Sequence, residues 1–238
     1  MGSWRIDSHK RNRRASWIFG LALALALPAL GQERMPKISP EKLTLEQQKA
    51  VEKRRADQQA RSEACRDPKM DPAKCTAEYY DIHGPMVALL RSPDVMVAVN
   101  SMGNYLEFKT ALPPKIRELV ILLVAREWTQ QYVWNSHYKS ATNQSLNPEI
   151  VKALSDGRHP RGMSDQEESA FEFCDELHKN RSVSDETYAR ALANFGEQGI
   201  IDIICTDGFY SLLSMVMNVA RTPLPKGASA PPLMAQPD

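Results

Sequence analysis

The sequence predicts an all-α domain, and three observations carry that expectation. From Tyr79 onward, large apolar residues recur at helical spacing. Clear helix starts and stops punctuate them: Pro113-Pro114, Asn147-Pro148 and the Ser164/Glu167 capping box as starts, and Gly157, Gly196 and Pro223 as stops. No run of strict apolar–polar alternation is long enough for a convincing strand.

Taken in order, the elements begin with residues 1–31. Arg5, Lys10, Arg11, Arg13 and Arg14 precede the uncharged run "ASWIFGLALALALPALG", which ends in small residues. A basic region, a short apolar region and a small-residue end describe a signal peptide, with cleavage expected after Gly31 and export to a periplasmic or extracellular location. The apolar run is too short to cross a ~30 Å hydrocarbon core comfortably. Arg13-Arg14 also permits twin-arginine export. Residues 32–78 read as a linker and an exposed arm. "ERMPKISPEK" is extended, and Leu43 to Ala64 is helical but poor in large apolar residues, so it can bury little surface. Residues 79–227 form the domain proper. Helices are expected near 84–91, 93–110, 114–127, 130–146, 148–155, 164–180, 185–195 and 197–220. Residues 228–238 are proline-rich and are expected to be disordered. The segments 116–125 and 200–219 are apolar almost all round. They should be central helices, and covering them fully invites self-association.

Charge and cysteines narrow the function classes. Without residues 1–31, the 30 basic and 29 acidic side chains become 25 and 28. A mildly acidic chain gives no footprint for nucleic acid, so none is expected as a partner. Cys65 and Cys75 flank "RDPKMDPAK", and in an oxidising compartment a disulfide closing that loop would be worth ~2–4 kcal/mol. Cys174 and Cys205 sit in apolar helical contexts, as buried thiols or as a second bridge. The chain has no Cys-x-x-Cys, no His-Glu-x-x-His and no glycine-rich phosphate cradle, so neither a metal nor another cofactor is expected.

The chemistry-bearing segment is Arg117 to His137, "RELVILLVAREWTQQYVWNSH". A break near Trp128-Thr129, with Thr129 as N-cap, separates helix 114–127 from helix 130–146. At 1.5 Å per residue, Glu118 lies ~15 Å before the break and His137 ~12 Å after it. If the helices fold back as a hairpin, carboxylate and imidazole meet. Such a pair supports proton transfer, with the imidazole as acid–base and the carboxylate orienting it. The plainer alternative pairs Glu118 with Arg117 or Lys115 and leaves His137 as a core histidine beside Trp134. Arg117 and Arg126 are candidate anion binders, and Tyr132 and Tyr138 candidate hydrogen-bond donors. His83 and His159 read as loop residues.

The stretch "ALPPKIRELVILLVAREWTQQYVWNSHYKSA" resembles the core segment of the carboxymuconolactone decarboxylase family, within the AhpD-like superfamily. "FGEQGIIDIICTDGFYSLLSMVMNVARTPLPKGA" resembles that family's C-terminal helix and closing turn, and "EIVKALSDGRHP" and "SDQEESAFEFCDEL" keep the same order of elements. The resemblance covers roughly residues 80–227. It implies an AhpD-like helical bundle assembled as a homotrimer or homohexamer, with the active site at or near a subunit interface. It also offers two chemistries. In the hydroperoxidase branch a Cys-x-x-Cys pair lies between the acid and the histidine. Those positions are Gln130 and Val133 here, so a dithiol peroxide reduction lacks its thiols.

In the decarboxylase branch no cysteine is needed. His137 and Trp134 match the "W-x-x-H" signature, whereas the position before the tryptophan, often glutamate, is Val133. The expectation is a cofactor-independent lyase on a small carboxylated lactone or keto acid. His137 and Glu118 would be its catalytic residues, with Trp134, Arg117 and Tyr138 around the substrate. The alternatives are an AhpD-like hydroperoxidase or peroxiredoxin-type antioxidant, and a non-enzymatic small-molecule binding protein.

Overall fold

In a computed structural model of the protein, residues 32–64 and 82–233 are described. The signal-peptide segment and the Cys65–Cys75 pair lie outside them. Among the described residues all regular structure is helical: α1 (Leu45–Ala64), α2 (Pro85–Leu89), α3 (Pro93–Phe108), α4 (Pro114–Glu127), α5 (Gln131–Asn143), α6 (Pro148–Ser155), α7 (Asp165–Asn180) and α8 (Asp185–Ala220), with a 3-10 turn at Pro40–Lys42.

The expected start signals act as such. Pro113 and Pro114 open α4, the Asn147 side chain accepts the Glu149 amide at α6, and Ser164 and Glu167 form a reciprocal capping box at α7. Gly196, at φ 66° and ψ 176°, interrupts α8 and divides it where the sequence predicts one helix to stop and another to start.

Helix α4 is the centre. Ile116 through Ala125 are all buried, because α5, α6, α7 and α8 pack around it. Helix α8 has the length and composition to cross a membrane, yet its inner face, including Ile200, Ile203, Phe209, Leu213 and Met217, is buried within the fold. Two aspartates interrupt its apolar run. Asp202 accepts hydrogen bonds from the Tyr105 hydroxyl (3.1 Å), the Thr110 hydroxyl (2.9 Å) and the Ala111 amide (2.7 Å). It thereby pins the α3–α4 turn onto α8 and sets where Pro113 begins the central helix. Asp202→Ala removes the buried acceptor of three donors on a partly exposed turn and should cost about 1–2 kcal/mol, read as a lower Tm. An unchanged Tm would show the turn is held by packing alone.

Two expectations are corrected. The polar helix α1 is exposed at most of its described positions, but it is docked on the fold rather than a free arm. Ala50 and Val51 are buried, the Gln47 amide donates to the Leu90 carbonyl (3.1 Å), and Arg54 hydrogen-bonds the buried Asn100, which in turn donates to Asp57 (3.0 Å). Polar pairing with one buried amide on α3 does what apolar area could not. The tail, expected to be disordered from 228, is hydrogen-bonded to α5 over residues 229–233. Ser229 and Ala230 amides donate to the Asn135 side chain (3.0 and 3.1 Å), the Leu233 amide donates to Gln131 (2.8 Å), and the Trp134 indole donates to the Pro231 carbonyl (2.9 Å). Proline removes amides that would otherwise need partners, so a strap of this composition lies down on a helix that supplies side-chain acceptors. Trp134→Phe should remove one hydrogen bond, ~1 kcal/mol, and expose the tail to protease. Cleavage no faster than in the wild type would mean the indole does not hold it.

Candidate functional site

The site is built by the α4–α5 hairpin. Helix α4 ends at Glu127 with Trp128 as its C-cap, and Thr129 adopts a left-handed conformation (φ 46°) that reverses the chain. Thr129 is therefore not the N-cap the sequence suggested. Gln130 takes that place: its side chain accepts the Tyr132 amide (2.8 Å) and donates to Asn218 on α8 (2.7 Å). With the turn so fixed, Glu118 and His137 come to the same height. The His137 Nδ1 lies 2.9 Å from the Glu118 Oε2.

The rest of the cluster orders that pair. The other Glu118 oxygen accepts from Arg117 (3.2 Å), and Arg117 also donates to the Glu107 carbonyl (2.8 Å) and side chain (3.2 Å). The Glu118 side chain is 1% exposed and that of His137 19%, so the imidazole is the more exposed member of the pair. Burial works to raise the Glu118 carboxyl. The charges and hydrogen bonds of His137 and Arg117 outweigh it and hold the group below its ordinary value, ionised at neutral pH.

The sequence reading missed Tyr210. Its ring stands edge-on to His137, centroids 4.9 Å apart and planes at 85°. Burial first, then the charges of Glu107 and Glu118, push its hydroxyl well above the ordinary tyrosine value, so it remains a protonated phenol. The available signal was a polar-tipped aromatic within the largely apolar run 200–219.

Other predicted residues fall differently. Trp134 is completely buried, with its indole on the tail, and Tyr138 packs beside it, ring centroids 6.2 Å apart. Arg117 is buried between two carboxylates and faces α3 rather than solvent. Arg126 is buried under the left-handed turn at Gly157, where a Cβ would sit 2.5 Å from its guanidinium. The Tyr132 hydroxyl lies 3.2 Å from the His83 imidazole, and His159 pairs with Glu168 (3.0 Å). Val133 is buried in the core.

Cys174 and Cys205 are free thiols. Burial, then the charge and hydrogen bond of Asp207, pushes the Cys174 thiol well above its ordinary value, away from the reactive thiolate. Asp207 also pairs with His178 (2.6 Å). Among the described residues no group of three or more His, Cys, Asp or Glu side chains converges as a metal site.

Residues 93–176, from α3 through most of α7 and including both Glu118 and His137, match the profile of the Carboxymuconolactone decarboxylase family. No curated protein matches the chain. Among solved structures the chain is similar to a crystal structure from Agrobacterium tumefaciens, described as a protein of unknown function assigned to antioxidant defence as AhpD. The two are 18% identical with a TM-score of 0.48, over 58% of this chain and 94% of that one. At that distance no role is carried across.

Proposed function

We propose that this protein, whose residues 93–176 are a carboxymuconolactone decarboxylase family segment, is a cofactor-independent carboxy-lyase acting on a small carboxylated lactone or keto acid. The observation that carries the proposal is the 2.9 Å contact between a buried, ionised Glu118 and a partly exposed His137. In the reaction, the bond to the substrate carboxylate breaks and its electron pair enters the conjugated carbonyl system as carbon dioxide leaves. The resulting enolate takes a proton at carbon. Nδ1 of His137 faces Glu118, which leaves Nε2 as the nitrogen that delivers this proton. Glu118 fixes the ring and stabilises the imidazolium.

Arg117 is a positioning residue in this scheme, since both its carboxylate partners are protein groups. Trp134 acts by anchoring the tail, and Tyr138 packs beside it. The antioxidant reading has less support. Gln130, at a thiol position of that branch, is a helix cap bonded to α8, and the buried Cys174 has a raised thiol pKa. Ligand binding without turnover is a second reading, favoured by Val133 where the decarboxylase branch often has glutamate. Export after cleavage behind Gly31 rests on the sequence pattern.

Self-association belongs to the same proposal. Ile201, Ile204, Met215 and Val219 are exposed along one face of α8, and Val95, Met102 and Tyr105 are exposed on α3, which packs against α8. We assign this apolar surface to contacts between copies, as a homotrimer or homohexamer. Ile204→Asp should then shift the protein to monomer in sedimentation experiments, and an unchanged mass would remove the assignment.

The test of activity is carbon dioxide release from γ-carboxymuconolactone by the purified protein. Release that depends on His137 supports the lyase. No release, with saturable binding of the lactone, would replace it by the binding reading.

A further inference from the structure

A second site lies outside the family segment altogether. Between residues 37–43, an N-terminal strap that includes the 3-10 turn, and helices α1 and α2 lies a cleft of about 380 Å³, and every residue that lines it, from Lys37 to Leu90, precedes the family match at residue 93. Its body is apolar: Ile38 and Leu43 from the strap, Val51 from α1, and Ile82, Val87 and Leu90 around α2. Folded interiors leave few voids larger than a water molecule, and a cleft of this volume falls within the ~300–1,000 Å³ range of ligand pockets.

The polar groups come from two elements. Gln48, Glu52 and Arg55 lie at helical spacing around Val51 on α1, and Lys37 stands on the strap. Gln48 is engaged with the Leu43 carbonyl (3.0 Å), which ties the strap to α1 and shapes the wall. Lys37, Glu52 and Arg55 are the charged residues of the lining, and Arg55 forms no ion pair among the described residues. An apolar body with the Arg55 guanidinium beside it matches an amphipathic anion.

We propose that this cleft binds a small monocarboxylate carrying an apolar chain or ring, with Arg55 holding the carboxylate and Val51, Val87 and Leu90 enclosing the apolar part. The site is separate from the Glu118–His137 pair and does not depend on the reaction assigned to it.

Titration calorimetry of the purified protein with octanoate, and with 1-octanol as the neutral chain of equal length, tests the proposal. Octanoate should bind once per chain, and at least about tenfold more tightly than octanol, the value of one charge-assisted hydrogen bond. Arg55 is exposed, so Arg55→Glu should fold normally and weaken octanoate about tenfold or more while leaving octanol unchanged. Val87→Trp, or Leu43→Trp should the first fail to fold, should fill the cleft and abolish both. His137→Ala should leave octanoate binding unchanged, which separates this site from the catalytic one. Absence of saturable binding, equal binding of octanol and octanoate, or full retention in Arg55→Glu would each overturn the proposal.

Discussion

His137→Ala should lower carbon dioxide release from γ-carboxymuconolactone by about 10²–10⁴-fold, the range that positioned proton transfer supplies. The size follows from what no neighbour can replace. Glu118 is ionised and nearly inaccessible, and the Tyr210 hydroxyl is held well above its ordinary value, so neither substitutes as the proton donor at neutral pH. The structural cost of the same change is small. The variant loses one hydrogen bond and one edge-on ring contact, together about 1–3 kcal/mol, and Arg117 still holds Glu118. Activity and Tm are therefore to be measured on the same sample. A variant that keeps most of its turnover would rule His137 out as the acid, and one that unfolds would point to a core histidine. Tyr210→Phe is the comparator: it keeps the ring against His137, so its activity should stay far above that of His137→Ala.

The site was legible in the sequence to the extent that it is made within one hairpin. Pro113-Pro114 marks the start of α4 and the rise per residue fixes heights, so a carboxylate and an imidazole on either side of one turn could be paired by counting. The turn itself was misread, because a left-handed Thr129 and a Gln130 cap depend on Asn218 from α8, far along the chain. Tyr210 and Asp202 were hidden for the same reason. Each lies in an apolar helix whose rotation is set by packing on α4, and periodicity does not say which polar group faces inward when nearly every residue is apolar. Trp134 was expected in a substrate pocket because it precedes the histidine in a signature. Three residues back along a helix is one turn away, and that turn is covered by the tail. The docking of α1 rests on Arg54, Asn100 and Asp57, polar residues that a hydrophobic pattern cannot register.

Glu118→Ala should be the most destabilising single change near the site, about 3–5 kcal/mol, because it strips a buried charge from its partners. Arg117 is 3% exposed and would keep only Glu107, itself partly exposed, while His137 Nδ1 would lose its acceptor. For a chain of this length that corresponds to a fall in Tm of roughly 6–20 °C. The pH dependence carries the sign that identifies the cause. The folded pKa of Glu118 is lowered, so its contribution is fully present above the ordinary glutamate value of about 4.5 and fades as pH falls through the depressed folded value. Wild type should thus lose stability on acidification below about pH 4.5, and the variant, already without the carboxylate, should show a shallower acid limb. His178 acts in the opposite sense. The Asp207 hydrogen bond and charge outweigh burial and raise its pKa, so its contribution is present below about pH 6.5 and lost as pH rises through the raised value. Because that loss is common to both proteins, the difference between their stability curves isolates Glu118. Denaturant unfolding of both across pH 3–8 makes the comparison. A constant difference across the acid range would mean that Glu118 is buried as a neutral acid, and the orienting role assigned to it would fall with its charge.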